Sequence, residues 1–199
     1  VSKYSLFLSS LLLYISKLIS KEYVAVGTVF HNRSCAAEKE AGGAFISTVA
    51  VDIAIQKNWS YRMLLDETTR NIRSILRHQK YPYSTLLGDL RKADKISGRL
   101  FDVFLSYQNV VFNVDEEWNA NGYEVNPIAI HISDRQNNGE IKLEVDYQTK
   151  YFTKKEIMHF IEHWLDLLTN AISTPLASIS ELELFTEAET TQLMKKISS

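Results

Sequence analysis

The chain has 199 residues, 45% of them hydrophobic and 23% charged, which is the composition of a globular domain with a proper core and excludes a disordered segment. Lys and Arg number 22 against 24 Asp and Glu, a net charge of -2 with the signs interspersed, so no electrostatic footprint for nucleic acid is present. The single Cys35 excludes an internal disulfide and fits a reducing, cytoplasmic setting.

The mostly apolar run Leu6 to Ile15, closed by Ser16 and Lys17, is too short to span a bilayer and lacks a small-residue cleavage site. Leu8, Leu11, Leu12, Ile15, Leu18 and Ile19 recur at helical spacing, which predicts a buried core helix lying between other elements. The chain opens in this helix without a Met, which suggests a fragment of something longer. Tyr23 to Phe30 and Ile46 to Ile53, the latter after Gly42-Gly43, predict two adjacent buried strands, with Cys35 in a polar loop between them. From Ser60 as N-cap, Tyr61, Leu64, Leu65, Ile72, Ile75 and Leu76 trace one helical face as far as His78. Tyr81-Pro82-Tyr83 then reads as a helix stop, because Pro disfavours helix in the residue before it.

Phe101 to Gln108 and Ile128 to Ile132 predict strands, the second paired with Ile141, Leu143, Val145 and Tyr147 across a turn at Asn137-Asn138-Gly139. The polar, acidic stretch Asp115 to Gly122 is expected to be a mobile loop. Thr153-Lys154-Lys155-Glu156 has the capping-box pattern, and Ile157, Phe160, Ile161, Trp164, Leu165, Leu168 and Ile172 give an amphipathic helix before Pro175. A second capping box, Thr186-Glu187-Ala188-Glu189, predicts a short terminal helix. The sum is an α/β domain, a mixed β-sheet flanked by helices.

Two constellations look chemical. His159-Phe160-Ile161-Glu162-His163 matches the H-x-x-E-H pattern of inverted zinc peptidases. Phe160, Ile161 and Trp164 define the buried face, however, which leaves His159 and Glu162 on a polar flank with no third ligand following, so coincidence is the better account. His131-Ile132-Ser133-Asp134 lies in an alternating strand and reads as a strand His with an Asp at the turn. No Gly-x-Ser-x-Gly elbow, P-loop or dinucleotide fingerprint occurs, which counts against a self-contained hydrolase or nucleotide enzyme.

Four stretches gain meaning from their order. Val24 to Thr28 leads to Asn32-Arg33, and Gly43 to Ala50 resembles a Gly-x-Phe-Val-Asn-Thr motif with Ile46 and Ser47 in place of Val and Asn. His78-Gln79-x-Tyr81-Pro82-Tyr83 is similar to His-Gln-x-x-Pro-Phe, and Phe104 to Asn109 follows Ser97-Gly98-Arg99-Leu100-Phe101-Asp102. In this order they resemble the late core motifs of condensation domains of nonribosomal peptide synthetases. Asp52 stands where that family closes its motif with Arg, a charge reversal. The Asn-Tyr-Leu-Gly of epimerisation domains is not found.

The resemblance implies one lobe of a chloramphenicol-acetyltransferase-like two-lobed fold. Residues 1–180 would be the C-terminal lobe of a condensation domain and residues 181–199 the start of a linker toward an adenylation domain. Its partners would be the N-terminal lobe, peptidyl carrier domains and that adenylation domain, with neither nucleic acid nor membrane. No cofactor would bind directly, since phosphopantetheine is carried by the carrier domains. The family's chemistry rests on His-His-x-x-x-Asp-Gly, which this chain lacks, so no catalytic residue is assigned and the fragment is expected to be inactive alone. By family position Ser106, Gln108 and Asn109 would line the substrate tunnel. Arg33, Gly43, Phe45, Thr48, His78, Gln79 and Pro82 would be structural, and no metal is expected. The alternatives are a non-catalytic carrier-docking or scaffold module of the same fold, or a stand-alone acyltransferase, against which the adenylation-like exit at Leu182 to Leu193 argues.

Overall fold

The computed structural model describes residues 2–109, 122–135 and 139–184. Its elements in order are α1 (Lys3–Ile19), β1 (Tyr23–Phe30), α2 (Ala36–Glu40), β2 (Ser47–Ala54) and α3 (Tyr61–Leu76). There follow α4 (Tyr83–Lys92), β3 (Val103–Gln108), β4 (Ile128–Ser133), β5 (Lys142–Tyr147) and α5 (Lys154–Ser173). The chain divides into two units, one of Val1–Val24, Ile53–Arg70 and Thr153–Ser199, the other of Ala25–Asp52 and Asn71–Phe152.

In the first unit α1 begins at Ser2, whose hydroxyl accepts a hydrogen bond from the Ser5 amide at 3.1 Å, and ends where Ser20 turns left-handed at φ 55°. Thr153 and Glu156 form the expected capping box of α5: the Glu156 carboxylate accepts from the Thr153 amide at 2.8 Å and the Thr153 hydroxyl from the Glu156 amide at 3.3 Å. Leu8, Leu11 and Leu12 of α1 are buried, as are Ile157, Trp164, Leu167, Leu168 and Ala171 of α5. The apolar face expected of α5 needs correction at two positions. Leu165 and Ile172 are 36% and 49% exposed, because the buried stripe through residues 157, 164, 168 and 171 leaves them on its flank.

Several buried polar groups inside this unit are paired, whereas the Thr68 hydroxyl is buried with no hydrogen-bond partner among the described residues. Trp164 Nε1 donates to Ser10 Oγ at 2.9 Å, and the hydroxyls of Ser9 and Tyr61 lie 3.0 Å apart. Burial pushes the Tyr61 phenol up to about 12, so it stays a neutral donor to the Leu6 carbonyl at 3.0 Å. Ser60 caps α3 as expected, its hydroxyl accepting from the Met63 amide at 3.3 Å.

The second unit carries the sheet, in the order β2-β1-β3-β4-β5. β1 and β3 are parallel, as are β3 and β4, while β4 and β5 form the predicted antiparallel pair, so the sheet is mixed. β2 is adjacent to β1 as expected, but it is an edge strand buried at alternate residues Val49, Val51 and Ile53. Gly27 of β1 is required by packing: a Cβ there would meet the Phe101 ring at 2.1 Å. Phe101 itself lies just ahead of β3, packed at ring-centroid distances of 5.4 Å from Tyr83 and 6.4 Å from Phe104.

Two helices escaped sequence reading. Cys35 is not in a loop but at the N-cap of α2, too short at five residues for periodicity to register. Pro82 starts a helix as well as stopping one: it caps α4, which buries no residue fully and so shows no apolar stripe. The expected turn at Asn137-Asn138, most of the loop from Asp115, and the terminal helix at Thr186 lie outside the described residues. No helix among the described residues is long and apolar enough to cross a membrane.

Candidate functional site

The motif residues Arg33, Gly43 and Phe45 come together in the loop between β1 and β2. Arg33 donates through Nη1 to the Ala41 carbonyl at 2.7 Å and through Nη2 to the Gly43 carbonyl at 2.8 Å, and also bonds the Glu38 carbonyl. Its guanidinium carbon lies 4.2 Å from the centre of the Phe45 ring, a cation–π contact. Gly43 has φ 130°, which favours glycine, so the Gly pair sets the backbone that brings these carbonyls to the arginine.

Glu38 extends the cluster to the next motif. Its carboxylate accepts from the Ser34 amide at 2.6 Å and pairs with Lys80, the residue between Gln79 and Tyr81. The Lys80 ammonium and the Ser34 amide hold the Glu38 carboxyl down at about 2. Ser47 donates to the Gln79 carbonyl at 2.8 Å, a second tie between the two motifs. Thr48 and the exposed His78 line one open cavity of about 670 Å³ together with Tyr81 and Tyr83. Pro82 sits at its α4 cap. All seven positions expected to be structural thus surround β2 and the start of α4; Glu38 and Lys80, missed from sequence, join them. No sequence signal marked that ion pair, because its partners are 42 residues apart.

The strand register assembles a polar sheet face. Ser106 pairs with His131 and Gln108 with Ser133, while across β4 and β5 His131 pairs with Glu144 and Ala129 with Asp146. Residues two apart share a face, so Ser106, Gln108, His131, Glu144 and Asp146 lie together. Ser106 is buried, Gln108 half-buried and the following Asn109 exposed. The opposite face carries Leu105, Ile128, Ile130 and Ile132, all buried.

His131 and Asp134 do not act as a unit. Asp134 accepts from the Tyr107 hydroxyl at 2.8 Å, and burial with this bond pushes Tyr107 up to about 12. His131 Nε2 lies instead 3.6 Å from Asp146 Oδ2. Burial lowers the His131 pKa from its ordinary value, opposed by Asp146, Glu124 and Glu144. In the first unit His159 is exposed and its ring stacks on His163, centroids 6.1 Å apart.

The sequence matches the family model of the condensation domain over residues 1–194. It is 32% identical over 202 residues to surfactin synthase subunit 1 of Bacillus subtilis (strain 168), covering 98% of this chain and 6% of that synthase. It is 31% identical to a plipastatin synthase of the same organism over 196 residues, 96% of this chain and 8% of the relative. The fold is similar to that of a four-domain nonribosomal peptide synthetase, with a TM-score of 0.82 at 15% identity over 96% of this chain and 16% of that one. It is also similar to the starter condensation domain of rhizomide synthetase, with a TM-score of 0.80 at 15% identity over 92% of this chain and 43% of that one. The chain belongs to the condensation-domain family. It spans less than a tenth of the two synthases and under half of the starter domain.

Proposed function

We propose that the chain is the C-terminal lobe of a nonribosomal peptide synthetase condensation domain and helps form amide bonds between carrier-bound aminoacyl or peptidyl thioesters. The observation that carries this reading is the pairing of a near-complete family match with late motifs only: residues 1–194 match, and His-His-x-x-x-Asp-Gly is not in the sequence. In the reaction an acceptor amine attacks the donor thioester carbonyl, the C–N bond forms, the C–S bond breaks and the thiol leaves. A base on the other lobe takes the proton from the amine and the departing sulfur takes it up as thiol, so this chain supplies position and not proton transfer. Ser106, Gln108 and Asn109 would line the tunnel and meet the phosphopantetheine-borne chains delivered by peptidyl carrier domains. Residues 181–199 would lead toward an adenylation domain, and the assembly would work in the cytoplasm.

The test is condensation of carrier-bound aminoacyl thioesters by the chain alone and by the chain joined to a lobe that carries His-His-x-x-x-Asp-Gly. Product is expected only from the joined protein, and Ser106→Trp in it should lower turnover at unchanged carrier loading. Product from the chain alone overturns the reading; wild-type turnover with Ser106→Trp removes that residue from the tunnel.

A further inference from the structure

One group of side chains on the polar sheet face is absorbed neither by the family motifs nor by the tunnel. Glu124, His131 and Asp146 offer ligand atoms that all lie within 4.8 Å of one another. They come from three segments: the loop ahead of β4, β4 itself and β5. His131 and Asp146 are diagonal neighbours on one face of the antiparallel pair, and their side chains are 14% and 38% exposed. An imidazole nitrogen with two carboxylate oxygens is a donor set suited to a divalent cation of the zinc class, leaving room for water. On tetrahedral zinc, with bonds of about 2 Å, ligand atoms sit about 3.3 Å apart, so a modest contraction closes the shell.

The surroundings are those of a held site with an entrance. Glu124 Oε1 accepts from both the Asn126 amide and its side-chain Nδ2 at 2.8 Å, which orients the carboxylate. Gln148 Nε2 donates to the carbonyls of Glu124 at 2.7 Å and Val125 at 3.0 Å, fixing the loop to the end of β5. Gln148 Oε1 is buried with no hydrogen-bond partner among the described residues. Glu124, Asp146 and Gln148 line one open groove of about 680 Å³, which gives an ion a path from solvent. Of the cations lining this groove, Arg99 lies 3.6 Å from Asp102 and also donates to the Val125 carbonyl, and the Lys150 ammonium lies 4.5 Å from the centre of the Tyr151 ring.

We propose that Glu124, His131 and Asp146 bind one zinc-class divalent cation, tying the loop ahead of β4 to the β4–β5 pair. The site is independent of the condensation chemistry. Calorimetric titration of the chelator-treated chain with zinc chloride tests it, using His159→Ala/His163→Ala as a second background because those stacked rings are a competing surface chelate. Saturable binding of one zinc per chain is expected in both backgrounds, with Glu124→Gln and His131→Gln each weakening it at least about tenfold. Zinc should also raise the melting midpoint of the parent and not of those variants. If circular dichroism shows that His131→Gln is unfolded, Glu124→Gln decides, since it alters the loop and not the strand. No saturable binding, binding unchanged by Glu124→Gln, or binding lost with His159→Ala/His163→Ala alone overturns the site.

Discussion

The α1–α5 pair and the polar face of β3, β4 and β5 both bury polar atoms, yet they dispose of them in different ways. In α1 the buried serine hydroxyls are closed off locally: Ser9 donates to the Leu6 carbonyl at 3.2 Å, Ser10 to the Phe7 carbonyl at 2.9 Å, and Ser16 to the Lys21 carbonyl at 2.6 Å. A helix carrying buried Ser5, Ser9, Ser10 and Ser16 therefore behaves as an apolar packing surface. On the sheet face Ser106, His131, Glu144 and Asp146 are set side by side by strand register, and part of the array opens on a groove. Polar residues whose hydroxyls bond nearby backbone carbonyls serve packing; polar residues gathered from separate strands are available to a ligand.

The largest effect that can break this contrast is at Trp164. It is fully buried, packs edge-on to Phe7 at 6.1 Å and donates to Ser10. Trp164→Ala should cost about 3–5 kcal/mol in urea unfolding, since it opens a cavity and removes the hydrogen bond to the Ser10 hydroxyl. A loss under about 1 kcal/mol would mean that the helix pair is not the tightly packed region described. Next comes Gly27→Ala, whose new Cβ would lie 2.1 Å from the Phe101 ring. A cost of about 1–3 kcal/mol is expected, and combining it with Phe101→Leu should cost less than the two single changes added. Strict additivity would show that Phe101 does not set the limit at Gly27.

Long periodic segments were legible in part: Leu8, Leu11 and Leu12 in α1, and Thr153 with Glu156 at the start of α5, stand where the spacing puts them, while Leu18 and Ile19 at the end of α1 are 50% and 48% exposed. α4 was not legible because it buries nothing fully, and Leu165 and Ile172 were misplaced because hydrophobicity alone does not locate the edge of a stripe. The conjunction of Arg33, Gly43 and Phe45 could be read as a motif, but not the physical reason for it, which is a guanidinium gathering carbonyls over an aromatic ring. Glu124, His131 and Asp146 were beyond reach for a different reason. Their proximity depends on the β4–β5 register and on Gln148 holding the loop, and neither leaves a spacing signal.

The smallest effect concerns the other ligand-like cluster of the second unit, around Glu38. Lys80 and the Ser34 amide favour the ionised carboxylate, so its value falls from 4.5 to about 2, while the same bond raises Lys80. A carboxyl lowered in the folded state contributes stability that is complete above its unfolded value and is lost as pH falls through the folded one. The window here runs from about 4.5 down to about 2, so between neutral pH and about 5 the cluster should be indifferent to acid. An NMR titration of the Glu38 carboxyl should accordingly find a midpoint near 2, and Lys80→Met should move it upward by removing the largest cause. In the same variant the Ser34 amide, held at 2.6 Å, should lose hydrogen-exchange protection at a higher pH than in the parent. Because Lys80 is exposed to solvent and Glu38 partly so, the pair's effect is confined to the order of the loop and should leave the global unfolding midpoint at neutral pH nearly unchanged. A parent midpoint near 4.5, or one that Lys80→Met leaves in place, would reduce the ion pair to a passing surface contact and leave Arg33 and Phe45 as what holds the loop.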